Sequence, residues 1–332
     1  MKGIIFEGIE KLAVRELPIP AVKEGWTLIK VSHAGICGTD MTIYFGKHPR
    51  AKAPLVLGHE FSGYIASPHP VFPEGTLVTV FPYMSCGTCD ICEEGGKNTC
   101  RTLRLVGIDA DGGMAGYVLV PSNSIYKAPE GVSPKLTAFI EPIGISVHCM
   151  RYGGYRPGDR VVIFGAGGIG LALALTLRQY GADDLLLFEP NPVRLETAKR
   201  LGLNAMPFSP NALDEIYKLA DGGADCVYDC AGHQSVIDIL PDAVRINGRI
   251  VMVAGYKTPP QMNFLKGMMR EFSIQFVRNC TRRDYEIACA LSAKEPGYEK
   301  LINYELPVEE AQKGFDLLSA PSDAVKVMFR FE

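Results

Sequence analysis

A run of four apolar residues, Val161 to Phe164, leads directly into Gly165-Ala166-Gly167-Gly168-Ile169-Gly170, and uninterrupted helix-forming sequence follows from Leu171 to Tyr180. A strand, a glycine turn at G-x-G-x-x-G spacing and a helix, in that order, leave few folds open. The first glycine permits the tight turn, the second lets backbone N–H groups approach a pyrophosphate, and the third lets helix and sheet close together. The bound anion then lies on the positive end of the helix. A second strand, Leu185 to Phe188, ends at Glu189, where a carboxylate is placed to hold a ribose. Without that strand, helix and acid, the same motif would be no more than a glycine-rich turn in some other α/β domain.

The alternation continues along the chain. A helical pattern from Pro192 to Leu201 precedes Gly202, and strands are expected at Cys226 to Tyr228, Arg249 to Val253 and Ser273 to Val277. Strands alternating with helices make a doubly wound parallel sheet, here over residues 147–281. Gly168 and Ile169 open the helix after the turn, while Ala231, Val253 and Gly255 lie at the ends of later strands, and all five are candidate cofactor contacts. Glu189 favours NAD, because a carboxylate accepts hydrogen bonds from a free ribose 2′-OH and repels a 2′-phosphate. Arg194 keeps NADP as the alternative, since it could meet that phosphate; it could equally face solvent or stack on adenine.

The flanking segments, 1–146 and 282–332, read differently. Short β-branched runs such as Thr27 to Val31 and Thr76 to Val80 sit between glycines and prolines, the pattern of an antiparallel β region nearly devoid of long helices. The C-terminal stretch adds a helix near Val308 to Leu318 and a strand at Ala324 to Phe331. Composition limits the partners. Of 332 residues 47% are apolar and 21% charged, and the formal net charge of -3 gives no basic surface for nucleic acid. No apolar run reaches the roughly 20 residues that span a bilayer. Met1 to Phe6 runs into charged sequence rather than a secretory apolar stretch. The expectation is a cytoplasmic protein with no membrane partner and a small neutral or polar substrate.

Four of the ten cysteines, Cys86, Cys89, Cys92 and Cys100, fall within fifteen positions. In a reducing compartment such crowding points to metal rather than to disulfides. Four thiolates close a tetrahedral zinc shell with no open position, which makes a structural site; they also suit an iron–sulfur cluster. A second donor set is dispersed. Cys37-Gly38-Thr39-Asp40, Gly58-His59-Glu60 and Glu141-Pro142 bring a thiol, an imidazole and carboxylates among glycines. One Cys, one His and one Glu would leave a fourth zinc position open to water or a substrate oxygen. Taken singly, a buried Cys or a His beside a Glu is ordinary.

Together and in this order, these motifs resemble the zinc-containing medium-chain dehydrogenase/reductase family, over nearly the whole chain. The resemblance implies a GroES-like, mostly antiparallel β catalytic domain from 1–146 and 282–332, and a Rossmann domain between them. It also implies two zinc ions per chain and removes the iron–sulfur reading. Cys37, His59 and Glu141 would ligate the catalytic zinc, with Glu60 beside the metal and exchanging with water as a ligand. Asp40 would orient His59 or cap a helix. Thr39 would hydrogen-bond the substrate hydroxyl and begin proton transfer. Thr42 stands where many relatives carry a proton-relaying histidine, so the last relay step is expected through cofactor ribose, water or Tyr44.

Glu141-Pro142, in place of a cysteine, looks like the polyol branch of sorbitol, butanediol and sugar-alcohol dehydrogenases. By the same likeness Arg278 is a candidate substrate contact, or else an interface salt bridge, and His148 packs inside a helix. The connection between Gly63 and Thr76 is shorter than the family pattern, so a hairpin is expected to be trimmed. The implied reaction is hydride transfer between a secondary alcohol and NAD(P), giving the ketone, in a homodimer or homotetramer. The competing readings are a zinc-free quinone or enone reductase, or a nucleotide-binding protein without catalysis, on the same fold.

Overall fold

In a computed structural model, residues 1–256, 258–320 and 322–331 are described. The chain divides into two compact units, one formed by Met1–Pro142 with the segment from Thr281 onward, the other by Ile143–Cys280.

The first unit is built on the ten-residue strand Trp26–Gly35. Its β-branched and apolar residues suit a half-buried pleat. On one side it pairs antiparallel with Glu60–Ile65, which pairs in turn with Leu77–Val80 and then Ile125–Lys127. Its other side is shared: Tyr117–Pro121 covers Trp26 to Lys30, and Lys326–Arg330 covers His33 to Gly35. The strand Ile302–Pro307 adds to Lys326–Arg330 in parallel. Register matters for the site, because Gly35 stands opposite Glu60 on one flank and opposite Met328 on the other. The strands Glu60–Ile65 and Leu77–Val80 are joined by a short connection, closed where Ile65 and Thr76 and Ile65 and Gly75 exchange backbone hydrogen bonds.

The helix expected around His148 is Ile140–Tyr152, 13 residues long, and it begins inside the stretch whose pattern is otherwise that of an antiparallel β region. Pro142 fits its first turn, where no backbone donor is lost. His148 is buried within it, its ring 4.2 Å from that of Tyr152.

The second unit holds a six-stranded sheet in the order Ala205–Pro207, Leu185–Glu189, Val161–Phe164, Ala224–Asp229, Val244–Met252, Ser273–Phe276. Every neighbouring pair is parallel. The strands are apolar on both faces because helices cover both: Val162, Phe164, Leu186, Phe188, Val227 and Ile250 form its core. The expected helix after the glycine turn runs over Gly168–Gln179, and the next over Pro192–Arg200 with Asn191 as its cap. Two helices that the sequence reading did not place, Ala212–Leu219 and Gln234–Ala243, complete the crossovers. Among the described residues no helix is long and apolar enough to cross a membrane.

Candidate active site

Cys37 caps the short helix Gly38–Tyr44. Its backbone N–H donates to Asp40 Oδ2 at 2.8 Å, so the aspartate fixes the turn that presents the thiol. Gly58, at φ +97, makes the bend before His59, and a Cβ there would lie 2.7 Å from Met114 Cγ. Two separate turns thereby deliver donors to one place. The Cys37 sulfur, a nitrogen of His59 and an oxygen of Glu60 all lie within 4.8 Å of one another. Thr39 Oγ1 is 3.8 Å from Cys37 Sγ, which puts a hydroxyl beside the cluster.

Asp40, His59, Glu60 and Glu141 are all buried. Asp40 Oδ1 faces His59 Nδ1 at 3.8 Å, and neither atom has a hydrogen-bond partner. Asp40 therefore both caps a helix and faces the imidazole. Glu141 lies in the first turn of the helix Ile140–Tyr152 and accepts the Tyr83 hydroxyl at 2.5 Å. It stands outside the mutually close trio of Cys37, His59 and Glu60.

A lysine completes the cluster. Lys326 is buried, ion-pairs with Glu60 Oε2 and donates to the Ile36 carbonyl at 2.9 Å. Burial alone would push its ammonium down, and the Glu60 carboxylate and Cys37 hold it above its ordinary value instead. Burial pushes the Glu141 carboxyl up to about 7, against the pull of His59. For His59 burial works downward, but Cys37 and Asp40 hold the imidazole well above its usual range. Buried charges persist only when paired or coordinated, and here a thiol and three carboxylates face Lys326 and the His59 imidazole. The donor set and the unsatisfied atoms of Asp40 and His59 fit a bound dication such as zinc.

Cys86, Cys89, Cys92 and Cys100 form a second cluster, with all four sulfurs within 4.8 Å of one another. Thiolates about 2.3 Å from a tetrahedral ion stand about 3.8 Å from each other. Here Cys86 and Cys100 are 3.5 Å apart, while the pairs Cys86–Cys92 and Cys89–Cys100 are each at 4.0 Å. That spacing suits one ion rather than a multinuclear cluster. Backbone N–H groups of Thr88 and Cys89 bring the Cys86 thiol down to about 5, towards the thiolate that a metal binds. All ten cysteines are free of disulfides.

In the second unit three of the four glycines of the turn bear on the site. Gly165 has φ +103 and lies against the Cys230–Ala231 backbone. A Cβ on Gly167 would meet nothing within 4 Å, leaving the face where a ligand approaches open. A Cβ on Gly170 would collide with the Gly165 carbonyl. Glu189 is buried, and its two oxygens accept from the backbone N–H groups of Ala166 at 2.6 Å and Asn191 at 2.9 Å. The carboxylate is thus pinned beside the turn. Arg194 is half-buried in the following helix; Ala231 and Val253 lie in loops at the carboxyl ends of their strands, and Gly255 is exposed.

Two candidates sit apart from these clusters. Tyr44 is packed under the helix Ala311–Ser319, its hydroxyl 3.0 Å from Gln312 Nε2 and its ring 5.3 Å from that of Phe315. Packing accounts for that placement and leaves Thr39 as the hydroxyl beside the metal donors. Arg278 is exposed just past the edge strand Ser273–Phe276. Lys326 and Tyr83, by contrast, carried no sequence signal and belong to the site.

Comparison with known proteins agrees with this geometry. The alcohol dehydrogenase GroES-like domain family matches residues 23–130, and the zinc-binding dehydrogenase family matches residues 168–309. L-galactonate-5-dehydrogenase of Escherichia coli is 34% identical, over 82% of this chain and 80% of its own. Sorbitol dehydrogenase of Halalkalibacterium halodurans is 32% identical, over 97% and 96%. The RspB alcohol dehydrogenase of Escherichia coli, solved with NADH, superposes with a TM-score of 0.91 at 29% identity, covering 100% of this chain and 99% of that one. Likeness of this extent, spanning both units, shows that the chain belongs to the zinc-containing medium-chain dehydrogenase/reductase family, in its polyol dehydrogenase branch.

Proposed function

We propose that the enzyme oxidises a secondary alcohol of a polyol or sugar acid to the ketone with NAD, and catalyses the reverse reaction. The observation that carries this reading is the buried convergence of Cys37, His59 and Glu60, with Thr39 beside them. The names of the sorbitol and galactonate relatives support the substrate class. A zinc-free reductase or a non-catalytic protein would have no use for such a donor set.

Zinc, when bound, supplies a Lewis acid that lowers the pKa of an alcohol oxygen. NAD, when bound, accepts the hydride. The chain's own residues do the rest. Cys37 and His59, with Glu60 or Glu141, hold the metal, while Asp40 and Tyr83 fix the orientation of His59 and Glu141. Thr39 accepts the alcohol proton and passes it outward. The four-cysteine cluster holds a structural ion and takes no part in the chemistry. Glu189 holds the ribose hydroxyls from a fixed position, and a 2′-phosphate would meet a carboxylate that its backbone partners prevent from turning away, so NAD is preferred over NADP.

The partner surface is a second copy of this chain. The strand Ser273–Phe276 pairs on one side only, with Val244–Met252. Phe276 on this strand is 72% exposed, and Phe264, Leu265, Met268 and Met269 of the helix Phe264–Arg270 are exposed as well. An unpaired edge with large apolar side chains is a template for isologous pairing across a two-fold axis. Four free thiols gathered to hold a metal suit a reducing compartment such as the cytoplasm. The test is a panel of polyols, sugar acids and vicinal diols with NAD and NADP on zinc-replete protein, following absorbance of the reduced cofactor. Turnover on this panel supports the assignment; a zinc-replete enzyme that reduces neither cofactor with any of them contradicts it.

A further inference from the structure

Asp229 ends the fourth strand of the parallel sheet and is fully buried. All of its acceptors are engaged by two loops. Oδ1 accepts from the backbone N–H groups of Ala231 at 2.9 Å and Gly232 at 3.0 Å, and Oδ2 accepts the Tyr256 hydroxyl. Its own carbonyl accepts from Val253 and Ala254, each at 3.0 Å. A carboxylate accepts at both oxygens, so a site surrounded only by donors selects it over an amide. A local turn would need the contacts to Ala231 and Gly232 alone. The link to Tyr256, 27 residues away, needs another reason.

The two loops touch each other and the glycine turn. Gly232 has φ +66, and a Cβ there would come within 3.0 Å of Ala254 Cβ and of the Gly255 carbonyl. A Cβ on Gly165 would lie 3.1 Å from the nitrogen of Ala231. Cys230 N–H donates to the Phe164 carbonyl at 2.9 Å, at the last residue before the turn. The order of strands gives the direction. Glu189 lies on one side of Val161–Phe164, while Asp229 and Met252 end the strands on the other. A dinucleotide with its pyrophosphate on the turn and its adenosine ribose at Glu189 therefore extends its nicotinamide half over the loops that Asp229 joins.

We propose that Asp229 and Tyr256 form a clamp joining these two loops, and that this clamp sets the affinity for the nicotinamide half of the cofactor. Both are positioning residues. The inference rests on reading the Gly165–Gly170 turn as the dinucleotide site. Tyr256 is half-buried, and burial together with the carboxylate holds its phenol above the ordinary value, so it remains a donor.

The experiment compares NADH with ADP, which reports on the adenosine half alone, on zinc-replete full-length protein. Binding is measured by nicotinamide fluorescence for NADH and by calorimetry for ADP. Tyr256→Phe is expected to weaken NADH by about five- to tenfold, part of the worth of one hydrogen bond to a charged group, while leaving ADP within about twofold. Asp229→Asn keeps an oxygen for Ala231 and Gly232 and turns an amide N–H to the phenol oxygen, so it trades a charged hydrogen bond for a neutral one and is expected to weaken NADH alone, by less than Tyr256→Phe. The double variant should bind NADH within about twofold of Tyr256→Phe alone, because the link is already gone once the hydroxyl is removed. NADH affinity unchanged in Tyr256→Phe, or NADH and ADP weakened equally together with Tm, would overturn the clamp. Wild-type protein that binds ADP but no NADH would instead overturn the cofactor reading, and the clamp with it.

Discussion

Lys326 ion-pairs with Glu60 over the bare backbone of Gly35, the residue that separates their strands in the sheet. A Cβ at position 35 would lie 2.6 Å from Glu60 Oε2 and 2.8 Å from Lys326 Cε, so the pair exists because that side chain is missing. The C-terminal strand thereby supplies an ammonium to the site, immediately behind Ile36 and Cys37.

Lys326→Met leaves the Glu60 carboxylate buried without its partner. Breaking a buried pair in this way costs about 3–5 kcal/mol, and a bound dication offsets part of it. The expected result is a loss of stability that is larger after chelation than in zinc-loaded protein, measured by urea unfolding in both states. Gly35→Ala should likewise lower catalytic-site zinc while the four-cysteine site stays filled, as read by metal analysis.

Cys86→Ser removes one thiolate from the closed cluster. Zinc content should fall by about one per chain and Tm by about 5 °C or more, with NADH affinity unchanged in the folded fraction. A selective fall in kcat at unchanged Tm would instead assign this cluster to the chemistry.

Asp225 carries a pH signature away from the site. Burial alone would raise its carboxyl, and hydrogen bonds from Arg160 and Arg245 override this and hold it well below the carboxylate range. Because the folded value is depressed, the stabilisation is present above the unfolded value of about 3.9 and is lost as pH falls below it. Asp225→Asn should therefore unfold at lower denaturant than wild type at pH 7, with the difference shrinking below about pH 4.

How much of this was legible in the sequence differs from residue to residue. The glycine turn, Glu189 and the four cysteines were readable because each depends on local spacing, and Gly165 and Gly170 show the tight turn and the close approach that spacing implied. Cys37, His59 and Glu60 needed the family's order of motifs, since no local rule brings positions 37 and 59 together. Lys326 was invisible. Within Ala324-Val325-Lys326-Val327-Met328 it reads as the exposed member of an alternating strand, and only the pairing of Met328 with Gly35 turns it inward towards Glu60. The extent of the helix Ile140–Tyr152 around His148 was not legible because Pro142 and Gly144 interrupt its pattern. The strand Val244–Met252 begins earlier than expected because Asn247, at φ +56, and Gly248 read as a turn although the strand continues through them.

The assembly prediction concerns the edge strand. Phe276→Glu combined with Met269→Glu places charges on the exposed apolar face, and like charges meeting across a two-fold axis repel. Light scattering should show the assembly shifting to single chains. An unchanged mass would place the interface elsewhere.

The most direct test of zinc-dependent alcohol oxidation is one set of measurements on Cys37→Ala: zinc per chain, kcat on the best polyol of the panel, and NADH affinity. The expected result is about one zinc in place of two, kcat lowered by about a hundredfold or more, and NADH affinity within about threefold of wild type, since Gly165, Gly167, Gly170 and Glu189 are untouched. Two zinc ions per chain with near-normal turnover would contradict the assignment of Cys37 to a catalytic metal and, with it, the proposed chemistry.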